Sequence, residues 1–161
     1  MKLTLVTFAA LVIAFPMSGS SQDSQKEKSK TVQEPSLRFF DRAPAGYSHV
    51  VEVRGGRTLY ISGQVALGRE GKLVGPGDFA AQAKQVFANL KARLDEAGAS
   101  FSDIVKLNYY VADATNIQNL RDVRDSYVNR EYPPVSTLVV VKQLFREELL
   151  IEVDAIAVVK D

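Results

Sequence analysis

The chain of 161 residues contains no cysteine. Disulfides, thiolate nucleophiles and cysteine-ligated metals are excluded, while the redox compartment stays open. A single histidine, His49, rules out a metal site built from several imidazoles. Charge of one sign is lacking as well: 20 Lys and Arg stand against 19 Asp and Glu. No general field therefore favours nucleic acid or an anionic membrane, and neither a basic patch nor an interleaved aromatic platform suggests RNA. GxGxxG, P-loop and HExxH patterns are absent, as are internal repeats. The expectation is a protein that uses no metal and no cofactor and has no nucleic-acid partner.

What is present suffices for one domain. Hydrophobic residues make up 46% of the chain, enough for a real core at this length. Residues 3–15 are apolar apart from Thr4 and Thr7, follow Lys2, and lead to the small residues Ser18, Gly19 and Ser20. The layout is that of a secretory signal peptide over residues 1–20, cleaved after Ser20. The run is shorter than the roughly 20 apolar residues that cross a bilayer, so no stable membrane span is expected after cleavage. Residues 21–36 are polar and charged, cannot offset their ordering entropy by burial, and read as a flexible linker. The expected product is an exported domain, residues 37–161, periplasmic or secreted.

Within the domain, alternation predicts strands at 49–53 and 58–62 joined by a Gly55-Gly56 turn. Asp78 can cap a helix reaching Ala97, with Phe79, Ala83, Val86, Phe87, Leu90 and Leu94 on one face and Gly98 as its stop. A β-branched and aromatic strand at 104–111 follows, then a helix at about 116–129. Pro133-Pro134 leads into strands at about 136–143 and 150–158. The order ββαβαββ predicts a two-layer α+β domain with two helices packed on a mixed sheet. The last strand carries Glu152 and Asp154 on one pleat face of an otherwise apolar run. Its apolar stretch 149–153, with 138–141, exceeds what a single helix layer would cover.

Several short matches fall in order along this frame. They are Gly46-Tyr47-Ser48-His49, Ser62-Gly63-Gln64, Val105-Lys106, Pro134 and Ile151-Glu152-Val153. Together they resemble the reactive-intermediate deaminase (RidA/YjgF) family over residues 38–159. The resemblance implies a chorismate-mutase-like fold, a homotrimer, and ligand clefts between subunits. In catalytic members an arginine holds the carboxylate of a 2-imino or enamine acid, and a glutamate positions the water that attacks the imine. Glu152 matches that glutamate. The arginine position, two residues after Pro134, is Ser136 here, so Ser136 and Thr137 would offer hydroxyls and backbone donors instead.

The same resemblance points to Ser62 and Gly63 as cleft lining and to His49 as standing where other members carry an aromatic cleft residue. Arg124, on the second helix where catalytic members carry a small amide residue, becomes a candidate to supply the cation missing at position 136. Each has a plainer alternative: a strand-edge carboxylate, a serine-stabilised turn, a surface histidine, a solvated helix arginine. Two readings of function follow. One is a trimeric binder of a carboxylate-bearing imine or enamine with weak or redirected deaminase (hydrolase) activity. The other is a non-catalytic ligand-binding or structural trimer of the cell envelope.

Overall fold

A computed structural model describes residues 35–160. The expected signal peptide and nearly all of the expected linker lie outside the described residues. Within them, three strands come first: β1 (Ser36–Ala43), β2 (Tyr47–Arg54) and β3 (Arg57–Val65). Then follow α1 (Phe79–Glu96), β4 (Ile104–Val111), α2 (Ile117–Arg124), β5 (Val135–Val140) and β6 (Ile151–Val159). The six strands form one mixed sheet in the order β1-β2-β5-β4-β6-β3. β2, β5 and β4 run parallel as neighbours, while the β1–β2, β4–β6 and β6–β3 pairs are antiparallel. The two-layer α+β class stands, with one more strand than the sequence pattern announced. No helix among the described residues is long and apolar enough to cross a membrane.

The 49–53 and 58–62 strands exist, but they do not form the expected hairpin. β2 pairs along its length with β1, through the loop at 44–46, and β3 pairs with β6. Gly55 and Gly56 do take left-handed φ angles of 72° and 80°. That local turn signal is outweighed by partners available elsewhere. β2 joins the main sheet by a single rung, Ser48 opposite Val135. There the Ser48 hydroxyl donates to Pro133 O at 2.6 Å and its N–H to Pro134 O at 3.1 Å. β1 escaped the pattern reading because, paired only to β2 in an outlying ribbon, it has no core to enforce strict alternation.

Helix α1 follows its sequence signals closely. The Asp78 carboxylate accepts the Ala81 N–H at 3.0 Å, which satisfies one free donor of the first turn. Gly98, at φ 70°, lies just past the end. The expected stripe is buried, and so is Gln82 on the same face. The Gln82 amide donates to Glu148 O and Gly75 O, while its carbonyl accepts from Leu150 N–H at 2.8 Å. One fully satisfied amide thus ties the helix to the two loops beside it. α2 stops at Arg124 rather than near 129, because residues 125–127 tighten: Ser126 N–H bonds Val123 O and Tyr127 N–H bonds Arg124 O.

In β6, Ile151, Val153, Ala155 and Ala157 are buried beneath the helices, and Glu152, Asp154 and Ile156 point to the opposite, open face. Leu149, Ile151 and Val153 are completely covered within the protomer. Of the two apolar runs, only the one on β5 stays open: Leu138, Val139 and Val140 are 36%, 40% and 53% exposed.

Candidate functional site

The pairing of β3 with β6 slips between Ile61 and Gln64, so that Ser62 and Gly63 together oppose a single residue of β6. Such a bulge re-aims side chains locally. Beyond it, Val65 stands opposite Glu152, and the Glu152 carboxylate lies directly over Gly63. A β-carbon at position 63 would overlap Glu152 Oε1, so glycine here lets the carboxylate lie where it does. Burial first, and then the neighbouring Asp154 charge, raise the Glu152 pKa above its ordinary 4.5. Asp154 accepts from Asn108 Nδ2 at 2.8 Å. It also raises the pKa of Tyr110, the residue opposite Glu152 on β4.

A separate cleft of about 160 Å³ opens between α2, β5 and the 44–46 loop. Tyr47, Tyr109, Arg121, Arg124, Ser136 and Leu138 are among its lining residues. Arg124 is nearly buried, with Nε and Nη2 on Asp125 Oδ1 at 2.9 and 2.6 Å and Nη2 on Ala45 O at 3.2 Å. Gly46, in left-handed geometry at φ 83°, makes room for it: a β-carbon there would sit 2.5 Å from Nη2. Tyr109 is 4% exposed, and burial pushes its phenol pKa up, so it remains a protonated donor.

Cross-strand partners share a face. Ser136 is opposite Leu107, which is opposite Ala155, and these face the helices. Glu152 is opposite Tyr110, which is opposite Val139, and these face away. Arg124 and Ser136 therefore stand on one side of the protomer's sheet, and Glu152 with Gly63 on the other. Arg124 and Glu152 do not converge within a single protomer.

The remaining candidates divide likewise. Thr137 is exposed and turns to the open face, away from its neighbour Ser136. Ser62 is exposed at the bulge. His49 is about half exposed, 4.0 Å from Asp41 Oδ2, and edge-on to the Tyr47 ring at 5.2 Å. It sits beside the cleft, and Tyr47 is the aromatic that lines it. Tyr47, Tyr109 and Arg121 were not singled out from the sequence. Tyr47 lay inside a quoted motif, and Arg121 is one helical turn from Arg124; either spacing could have drawn them in.

With this geometry in view, comparison with known proteins is decisive. The family model described as Endoribonuclease L-PSP matches residues 40–159. The chain belongs to the RidA/YjgF/RutC family. A RutC family protein of Pyrococcus abyssi is 34% identical over 122 residues, covering 74% of this chain and 93% of its own. A 2-iminobutanoate/2-iminopropanoate deaminase of Dermatophagoides farinae is 29% identical over 114 residues, covering 71% and 86%. Among solved structures, a Rid-family protein of unknown function from Yersinia pestis matches with TM-score 0.68 and 35% identity. It covers 79% of this chain and 100% of that one. The two helices on a mixed six-stranded sheet are thus the chorismate-mutase-like fold of RidA.

Proposed function

We propose that the protein binds a small carboxylate-bearing imine or enamine in a cleft completed between subunits of a homotrimer, where Glu152 promotes its hydrolysis. The split placement carries this reading: an anion-accepting cleft on the helix face, a carboxylate of raised pKa on the open face. A ligand that needs both can meet them only where two copies touch. Assembly is further supported by β5, which leaves Leu138 and Val140 uncovered on the helix side and Val139 on the open side, apolar surface that a second copy could bury. The substrate class comes from the relatives named imine deaminases.

The chemistry needs little of the protein beyond orientation and one proton carrier. Water oxygen bonds to the imine carbon as the C=N pair moves to nitrogen. Glu152 accepts a proton from that water and delivers one to nitrogen. The hydroxyl proton of the resulting carbinolamine then passes to nitrogen, again through Glu152, as the C=O bond forms and the C–N bond breaks, releasing ammonia and leaving a 2-oxo acid. A carboxylate with raised pKa is better matched to such transfers near neutral pH. Arg124 and the Ser136 hydroxyl line the cleft that would take the carboxylate, with Ser62, Gly63 and Thr137 contributed by the open face of the adjoining copy.

Serine in place of the catalytic arginine removes a bidentate grip, so turnover is expected to be slow or directed at other imines. The same replacement favours a second reading, a trimer that binds ligand or serves a structural role in the cell envelope without catalysis. In both readings residues 1–20 direct export.

The test is hydrolysis of 2-imino acids generated in situ by an amino-acid oxidase, with the remaining imine trapped as semicarbazone. Wild type should accelerate loss of imine and Glu152→Ala should not. An inactive wild type beside an active Ser136→Arg variant would replace the hydrolase reading with the binding one.

A further inference from the structure

We infer that Arg121 is the residue that grips the ligand carboxylate in this cleft, standing in for the cation absent at position 136; the inference rests on the cleft assignment made above. Arg121 and Arg124 lie three residues apart on α2, a spacing that puts both on one helix face, and both line the cleft. Their circumstances differ. Arg124 has committed its Nε and Nη2 to Asp125 and Ala45, and Asp125 also faces Arg130 at 3.5 Å. Its charge is compensated from within. Its work is positioning, because the bond to Ala45 holds the loop that presents Tyr47. Arg121 is exposed and makes no ion pair with any described residue, so its fork of donors is free.

Two further donors point to the same occupant. Tyr109 is almost wholly buried, yet its hydroxyl has no hydrogen-bond partner among the described residues, and it lines the cleft. Ser136, also lining it, has an unengaged hydroxyl among the described residues. No buried side-chain polar atom among the described residues lacks a partner, so the Tyr109 hydroxyl opens onto the cleft, where it can donate to an occupant. A guanidinium and two hydroxyls around one space match a carboxylate, which accepts several hydrogen bonds and carries the opposite charge. Leu120 and Leu138 supply apolar wall. The ligand is therefore a monocarboxylate with an apolar part, anchored from the helix instead of from the sheet.

The experiment measures equilibrium binding of 2-oxobutanoate and its uncharged amide to the full chain, by calorimetry and ligand-observed NMR, without turnover. Wild type should prefer the acid over the amide. Arg121→Gln should weaken acid binding at least tenfold, with amide binding, thermal midpoint and oligomeric mass unchanged, since Arg121 is exposed. Arg121→Lys should recover part of the loss, and Arg121→Gln combined with Ser136→Arg most of it. In the imine assay, Arg121→Gln should raise KM with little change in kcat. A variant that binds 2-oxobutanoate as wild type does, or a wild type that binds neither probe or prefers the amide, overturns the inference. Arg121-dependent binding without imine hydrolysis would sustain it while removing the hydrolase reading.

Discussion

The Glu152 carboxylate rests directly against Gly63. In Gly63→Ala the end of the Glu152 side chain has to swing aside, a movement that a partly exposed carboxylate makes cheaply. The thermal midpoint should hardly move while any imine hydrolysis the wild type shows falls, read by scanning calorimetry and the semicarbazone assay. Glu152 also predicts a pH signature. Its native pKa is raised, so the native state binds the proton more tightly than the unfolded chain does. Its contribution therefore favours the fold at low pH and is lost as pH rises from 4.5 through the higher native value. Glu152→Gln should flatten that segment of the stability curve. Catalysis by the ionised form should show an acid limb displaced above 4.5 in a kcat/KM profile. At this scale the sequence was informative about types and less so about faces. Ser136 and Thr137 are adjacent in the chain, and strand alternation sends them to opposite sides. Arg124 looked like a free cation, but Asp125 and Ala45 hold it.

At the scale of elements, α1 is the part most legible beforehand, because its cap, stripe and stop are all local. The buried Gln82 was not legible. Nothing in its neighbourhood tells that three backbone groups from the 75 and 148–150 loops converge on its amide. Gln82→Ala leaves those groups unpaired, and a cost of about 1–3 kcal/mol is expected. Urea denaturation should show a lower midpoint with an unchanged slope, and hydrogen exchange should quicken at Leu150. Strand pairing was the least legible of all. The glycine pair at 55–56 argues for a hairpin on local grounds. The choice is made by long-range partners, β1 for β2 and β6 for β3, whose affinity no window of sequence contains. The Ser48 anchor to Pro133 and Pro134 crosses some 85 residues of chain and is likewise invisible until the fold is known.

For the whole molecule, the opposed faces give a sharp assembly test. In the proposed trimer, Glu152→Ala and Arg124→Ala should each abolish activity. Unfolded together and refolded, the two variants should regain about a quarter of wild-type activity, since random closed rings pair an intact cleft with an intact glutamate at that frequency. No recovery, with mixed trimers confirmed by native mass spectrometry, would place both groups' work in one copy. A last consequence concerns timing. The strand made last, β6, is the one that lies between β3 and β4. Until it emerges from the ribosome, β3 has no partner strand and β4 has only β5. The sheet therefore stays in two parts until β6 is made, and removal of the β6 strand should leave the domain unable to fold, read as loss of ordered structure by circular dichroism.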